Sequence, residues 1–287
     1  MNIGVIGKNG QLAQSFASLT QNNKDIQFFS KSDLDITNLE NTLKTFSTSN
    51  FNIIINCSAF TNVEGAEGQV DEAFNINRDG VRNLCLSCEK YDIFLIHFST
   101  DYVFDGAKDS PYIEADSTNP LSVYGASKLA GEMEILQSNV NSLIVRTSWL
   151  FSQFGQNFVK TIVNNLNKDK KLSVVHDQIG TPTSALDLAR VVLNLIDNNK
   201  LPKLTEILNI SNSGECSWFD FASEIKNYDQ THGQVEPTTT EKYGFIAKRP
   251  KFSVLSKEKL ASNYSISMRS WQASLNEIMN ILKKSPN

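Results

Sequence analysis

Long apolar runs are missing from this chain. No stretch of its 287 residues approaches the length of a bilayer span, so no membrane partner is expected. Basic residues are not in excess either. The 27 Lys and Arg against 31 Asp and Glu leave a formal net charge of −4. No Lys/Arg run forms the stripe that nucleic acid would need. The amino terminus, Met1-Asn2-Ile3-Gly4-Val5-Ile6-Gly7, has no basic region and no cleavage site before its Gly-containing loop. A signal peptide is therefore not expected, and a cytoplasmic protein is. Histidine is scarce: His97, His176 and His232 are scattered, and nothing resembles HExxH. The four cysteines are Cys57, Cys85, Cys88 and Cys216. Cys85 and Cys88 form a CxxC, but no second CxxC or His pair completes a tetrahedral metal site. Val81, Leu84, Cys85 and Cys88 fall at helical spacing, so a buried structural pair is the expectation.

What the chain does have is alternation. A hydrophobic share of 40% with 20% charged residues is ordinary for a globular protein, and the length allows one large α/β domain or two unequal ones. Short apolar runs at 3–6, 26–29, 53–55, 93–98 and 143–145 read as buried strands, each bounded by Gly, Asn, Asp or Ser. Amphipathic patterns at 11–19, 38–46, 70–88 and 124–136 read as helices between them. Thr37 with Glu40 predicts a capping box before the second helix. Strands alternating with helices imply βαβ units, hence a doubly wound parallel sheet of Rossmann type. After about Phe151 the pattern loosens. Helices are expected at 157–167, 185–197 and 217–226, and Trp271, Leu275, Ile278, Met279 and Leu282 trace one face of a last one. Residues 1–150 thus read as a dinucleotide-binding domain and 151–287 as a smaller, mainly substrate-binding region, some of whose elements could return to the main sheet.

The first strand runs into Gly7-Lys8-Asn9-Gly10-Gln11-Leu12-Ala13 and a helix follows. A Gly-rich turn at a helix amino terminus suits a pyrophosphate, because backbone N–H groups point outward and the helix dipole favours negative charge. The spacing is GxxGxxA, not GxGxxG, and such turns also occur as plain connections. The second strand ends at Phe29-Ser30-Lys31. A basic residue there accommodates a 2′-phosphate where an acid would hold a ribose hydroxyl, which leans the cofactor toward NADPH over NADH. A solvated loop lysine is the competing reading. Asp35, just downstream, is placed to face the adenine end instead.

Tyr124-Gly125-Ala126-Ser127-Lys128 is a YxxxK pair, which a helix puts on one face. Free tyrosine is too weak an acid to exchange protons readily at neutral pH. A nearby ammonium favours the phenolate, so Lys128 is expected to lower the Tyr124 value. Tyr124 then gives a proton to a carbonyl oxygen as hydride reaches its carbon. YxxxK alone is unspecific, and a surface helix explains it equally well. Ser99-Thr100-Asp101 at the end of an apolar strand, ahead of that helix, puts a hydroxyl where ligands of open α/β sheets bind.

With these motifs the sequence resembles the extended short-chain dehydrogenase/reductases over nearly its whole length. Among them it is similar to the branch that reduces the 4-keto group of a deoxysugar nucleotide. The likeness rests on Gly7 to Leu12, Asn56-Cys57-Ser58-Ala59-Phe60-Thr61, Ser99-Thr100-Asp101-Tyr102-Val103-Phe104-Asp105-Gly106 and Tyr124 to Glu132. Arg146-Thr147-Ser148-Trp149, Asp177-Gln178-Ile179-Gly180-Thr181-Pro182-Thr183 and Arg249-Pro250 add the sugar-nucleotide side. The resemblance implies that Gly10, Gln11 and Leu12 hold the pyrophosphate, Asp35 and Ile36 the adenine end, and Ala59, Phe60 and Thr61 the cofactor beside the third strand. It makes Tyr124 the acid, Lys128 its partner and Thr100 the tuning hydroxyl, with Thr100, Asp101 and Trp149 contacting substrate. Lys128 is also expected to bind the cofactor through the nicotinamide ribose, and Asn157 and Arg249 are further substrate candidates. The implied reaction is reduction of dTDP-4-dehydro-β-L-rhamnose to dTDP-β-L-rhamnose, a step toward cell-envelope sugar. Some members dimerise around Mg²⁺ through acidic side chains. The helix at 11–19 holds no acid, so no metal is expected, while a homodimer stays open. A dehydratase would carry Glu where Tyr102 stands. A reductase or epimerase of another nucleotide keto-sugar and a non-catalytic regulatory subunit of the same fold are the remaining rivals.

Overall fold

The computed structural model describes residues 1–21, 23, 25–229 and 233–284; His232 lies outside them. Six strands form the main sheet: β1 (Ile3–Ile6), β2 (Ile26–Phe29), β3 (Ile53–Asn56), β4 (Phe94–Thr100), β5 (Ser142–Thr147) and β6 (Glu206–Asn209). Their order is β6-β5-β4-β3-β1-β2, and every pairing is parallel. Parallel strands need crossovers, and these are helical: α1 (Gln11–Leu19), α2 (Leu39–Ser49), α3 (Gly80–Tyr91), α4 (Val123–Leu136) and α5 (Ala185–Asp197).

Because both faces are covered, the central strands read as continuous apolar runs rather than alternating ones. Val5, Ile55, Ile96 and Val145 meet Leu12, Phe16, Leu188 and Val192 of α1 and α5. Ile6, Ile54, Leu95 and Ile144 meet Phe46, Leu84, Cys85 and Ile135 of α2, α3 and α4. Cys85 and Cys88 are free and buried in that second cluster. The later part of the chain contributes β6 to one edge of the sheet and α5 to one face. It also builds a separate core of Phe151, Val159, Ile162, Phe221, Trp271, Leu275 and Ile278.

Two expected details differ. The cap of α2 is Asn38, whose side chain accepts from Asn41 N, and not Thr37. Thr37 is taken up by Asp35, which accepts from its backbone N–H and its hydroxyl, so no capping box with Glu40 forms. The helix expected at 70–88 is interrupted: Val70–Phe74 passes through a π turn, Asn75–Asp79, before α3 begins. Asn77 in that turn is buried, and its amide bridges the Phe60 backbone to the Ser127 hydroxyl.

Candidate active site

All six strands point the same way, and the loops leaving their carboxyl ends enclose a cavity of about 600 Å³, an ordinary size for a small-molecule site. Its first wall is the β1–α1 turn. Gly7 has φ +93°, where side chains are strained, and a Cβ there would lie 2.9 Å from the Cys57 carbonyl carbon and Ser58 N. Gly10 caps α1 in extended conformation with no side-chain cap, and the first turn contains no acid. The leading N–H groups of α1 are therefore free to hold an anion. That turn fits the pyrophosphate of a dinucleotide.

Gly7, Gly10, Gln11, Leu12, Ser30, Lys31, Asp35, Ile36, Ala59 and Thr61 all line the cavity. Phe60 does not. Its backbone N–H and carbonyl are instead held by the Asn77 amide, which fixes the loop carrying its two neighbours. Ser30 donates its hydroxyl and its N–H to Asp33 at 2.6 and 2.9 Å, a partner that sequence reasoning missed.

Thr100, Asp101, Tyr124, Lys128 and Trp149 line the same cavity, and Gln11 of the glycine turn donates to the Leu150 carbonyl next to Trp149 at 3.2 Å. The helix bearing the Tyr–Lys pair starts where Ser122 accepts from Gly125 N and Glu67 accepts from Val123 N. Gly125 packs so tightly that a Cβ would stand 2.3 Å from the Tyr102 carbonyl. The Tyr102 ring meets the Tyr124 ring edge-on at 6.0 Å. Further along α4, Glu132 forms a buried ion pair with Arg146 of β5 at 2.7 Å, tying helix to sheet.

The expected lowering of Tyr124 by Lys128 is not found. Burial pushes the phenol up to about 12, with the Thr100 hydroxyl pulling the other way. The physical reason is direction. Lys128 Nζ donates to the Phe98 carbonyl at 2.6 Å and lies 3.3 Å from His97 Nε2. Burial in turn lowers Lys128 to about 8 against the opposing pull of Glu132. Tyr124 is thus protonated at neutral pH, the form a proton donor needs, and Lys128 is the stronger acid of the two.

Asp101 is buried, with one carboxylate oxygen accepting from Thr100 and the other unpartnered, and burial raises it to about 7. Trp149 adopts φ +45°. Its ring stacks on Trp218 at 3.6 Å and 9°, and a Cβ on Gly180 would meet it at 2.5 Å. Arg249 does not line the cavity. It pairs with Glu64 at 2.7 Å, covers the Phe245 ring at 4.0 Å and leaves its Nε unpartnered. Asn157 caps the helix Phe158–Leu166 by accepting from Lys160 N. Ser58 and Ser148, which lie in motifs quoted above without a role, are also on the cavity wall, as are Gly155 and Gln156, which nothing in their local spacing marks. Among the described residues, no group of three or more His, Cys, Asp or Glu is placed to hold a metal ion. Nor is any helix there long and apolar enough to cross a membrane.

A parallel sheet with a glycine turn after β1 and a Tyr–Lys helix facing it across one cavity defines a Rossmann-fold oxidoreductase of the short-chain dehydrogenase/reductase type. The model of the RmlD substrate binding domain family matches residues 1–284, and the chain belongs to that family. It is 36% identical over 286 residues to a dTDP-4-dehydrorhamnose reductase of Sinorhizobium fredii, covering 97% of each chain. A dTDP-4-dehydrorhamnose reductase of Clostridium acetobutylicum superposes with TM-score 0.94 at 40% identity, covering 99% of this chain and all of that one. A dTDP-4-dehydrorhamnose reductase of Bacillus anthracis, solved in complex with NADP, superposes with TM-score 0.93 at 37% identity, covering 98% and 100%.

Proposed function

We propose that this protein is a nicotinamide-dependent reductase of a nucleotide keto-sugar. It converts the C4 ketone of dTDP-4-dehydro-β-L-rhamnose to the alcohol of dTDP-β-L-rhamnose, in the cytoplasm. The observation that carries the reading is that Thr100, Tyr124 and Lys128 share one cavity with the β1–α1 glycine turn and Trp149. In this reading residues 1–150 hold the dinucleotide and 151–287 mainly the sugar nucleotide.

The α1 N-terminus and Gln11 hold the pyrophosphate, Asp35 and Ile36 lie at the adenine end, and Ala59 and Thr61 flank the nicotinamide half. Ser30 and Lys31 favour the 2′-phosphate of NADPH over NADH. When bound, the nicotinamide supplies a hydride to C4. Tyr124 delivers its proton to the ketone oxygen, and Thr100 holds that oxygen against Tyr124. Lys128, a stronger acid than Tyr124 but turned toward the Phe98 carbonyl, returns a proton to the phenolate afterwards through an intervening water. Asp101 offers its unpartnered oxygen to a sugar hydroxyl, and Trp149 lies flat against the sugar nucleotide. Assembly as a homodimer belongs to the same reading. Exposed Leu86 on α3 and Met133 and Leu136 on α4 supply apolar surface for it, and sedimentation velocity reads it directly.

The test is to mix the purified protein with NADPH or NADH and dTDP-4-dehydrorhamnose and follow the loss of reduced-nicotinamide absorbance. Oxidation that depends on the sugar, faster with NADPH, is expected. No sugar-dependent oxidation with either cofactor would overturn the assignment.

A further inference from the structure

Behind Lys128 runs a chain of polar side chains that ends at the cavity wall, where Asn56 and Ser58 are among the lining residues. Lys128 Nζ lies 3.3 Å from His97 Nε2. The other ring nitrogen, Nδ1, lies 3.1 Å from Asn56 Nδ2. Asn56 Oδ1 then accepts from the Ser58 backbone N–H at 3.1 Å and from the Ser58 hydroxyl at 2.5 Å. His97, Asn56 and Lys128 are all nearly inaccessible to solvent, at 0%, 1% and 2% exposure, so each polar atom must be satisfied within the chain.

The order of donors fixes the protons. A backbone N–H can only donate, so the Asn56 atom facing Ser58 is the oxygen and the atom facing His97 is the NH₂ group. That group donates to His97 Nδ1, which must therefore be the unprotonated nitrogen. His97 is neutral: burial drives it well below its ordinary value, and the Lys128 charge adds to this. A neutral imidazole with bare Nδ1 carries its proton on Nε2, the nitrogen that faces Lys128. An N–H aimed at Nζ repels an ammonium and donates to the lone pair of an amine.

We propose that Asn56 and His97 are positioning residues for proton transfer: Asn56 sets the imidazole tautomer, and the Nε2–H of His97 stabilises Lys128 as a neutral amine. Lys128 is then a proton carrier and not a fixed cation. The inference rests on the reading of Tyr124 as the proton donor. After Tyr124 has given its proton to the substrate oxygen, Lys128 gives up an Nζ–H proton that reaches the phenolate through an intervening water, re-forming the Tyr124 O–H bond. The amine left behind donates to the Phe98 carbonyl, accepts from His97 Nε2–H, and regains its proton from water. Other ionisable groups sharing this region are Tyr124 and Glu132 on α4, Asp101 just past β4 and Cys57 after β3. Of these Glu132 works in the opposite direction, favouring the ammonium.

Two measurements test it. With only three histidines in the chain, ¹⁵N-histidine spectra of the wild-type protein resolve His97, assigned by its loss in His97→Gln. The Nε2–H tautomer is expected; a protonated Nδ1 overturns the proposal, whatever the protein's activity. The second is the pH profile of turnover in Asn56→Asp. A carboxylate still accepts from Ser58 but now also accepts from Nδ1–H, which turns bare Nε2 toward Lys128. The ammonium is then favoured, and the basic limb should move up by about one pH unit. An unmoved limb in a variant that binds cofactor normally overturns the proposal, and so does a limb that moves while the ¹⁵N-histidine spectrum of the variant still shows Nε2–H, because the new carboxylate would then act by its charge alone. Absence of turnover in the wild-type protein would instead count against the reductase reading and leave the tautomer result standing.

Discussion

The two walls of the cavity are built in opposite ways. The cofactor wall is made of backbone: the Gly7 turn, the uncapped start of α1 and the loop held by Asn77 present N–H groups and little side chain. Its geometry is set by places where a Cβ cannot fit. The wall proposed for the sugar is backed by rings: Trp149, which lines the cavity, stacks on Trp218, with Phe158 and Phe221 behind, in a core that also holds Trp271. Backbone recognises the part of a dinucleotide that every dinucleotide shares, while rings can be exchanged to suit one sugar or another. Tyr124, the proposed proton donor, is carried on α4, which the Glu132–Arg146 pair ties to the sheet.

Tyr124→Phe probes the boundary between the walls and carries the largest effect. It should lower turnover by about 10²-fold or more, the scale of general acid catalysis, with NADPH affinity kept. Near-normal turnover would place the acid elsewhere. Gly7→Ala attacks the cofactor wall alone. Its Cβ meets the Cys57–Ser58 backbone, and strain of about 1–3 kcal/mol should weaken NADPH binding by roughly tenfold. Fluorescence titration reads this, and an unchanged dissociation constant would show that the turn does not touch the cofactor. Trp218→Ala attacks the sugar wall. Losing an aromatic pair worth about 0.5–1.5 kcal/mol should raise KM for the nucleotide sugar roughly three- to tenfold. NADPH affinity should stay as it was. If both constants moved together, the two walls would be one unit and the contrast between them would fall.

The same contrast decides what could be read in the sequence. The sheet was legible because buried parallel strands are short unbroken apolar runs, as at Ile53 to Ile55 and Ile93 to Phe98. The glycine turn and the Tyr124–Lys128 pair were legible because each is defined by spacing within a few residues. The Trp149–Trp218 stack was not, since its partners are 69 positions apart and only the packing of separate elements unites them. The capping box failed for a local reason, Asp35 competing for Thr37. The expected effect of Lys128 on Tyr124 failed for a directional one. Spacing places two side chains on a helix face but does not say where a flexible ammonium points, and here Phe98 and His97 claim it. His97 itself was passed over as one of three scattered histidines. The usable hint was a lone imidazole inside an otherwise apolar strand, three residues before Thr100.

The π turn at Asn75–Asp79 acts as a gauge for the whole arrangement. The extra residue in that turn brings the Asn77 carbonyl against α4 at Gly131, so close that a Cβ there would stand 2.2 Å from the oxygen. Gly131 lies about one helical turn past Lys128, with no contact to the cavity. The height of α4 above the sheet, and with it the reach of the phenol toward its substrate, is therefore machined at a point outside the site. Drift at position 131 would detune the chemistry while leaving every residue that performs it intact.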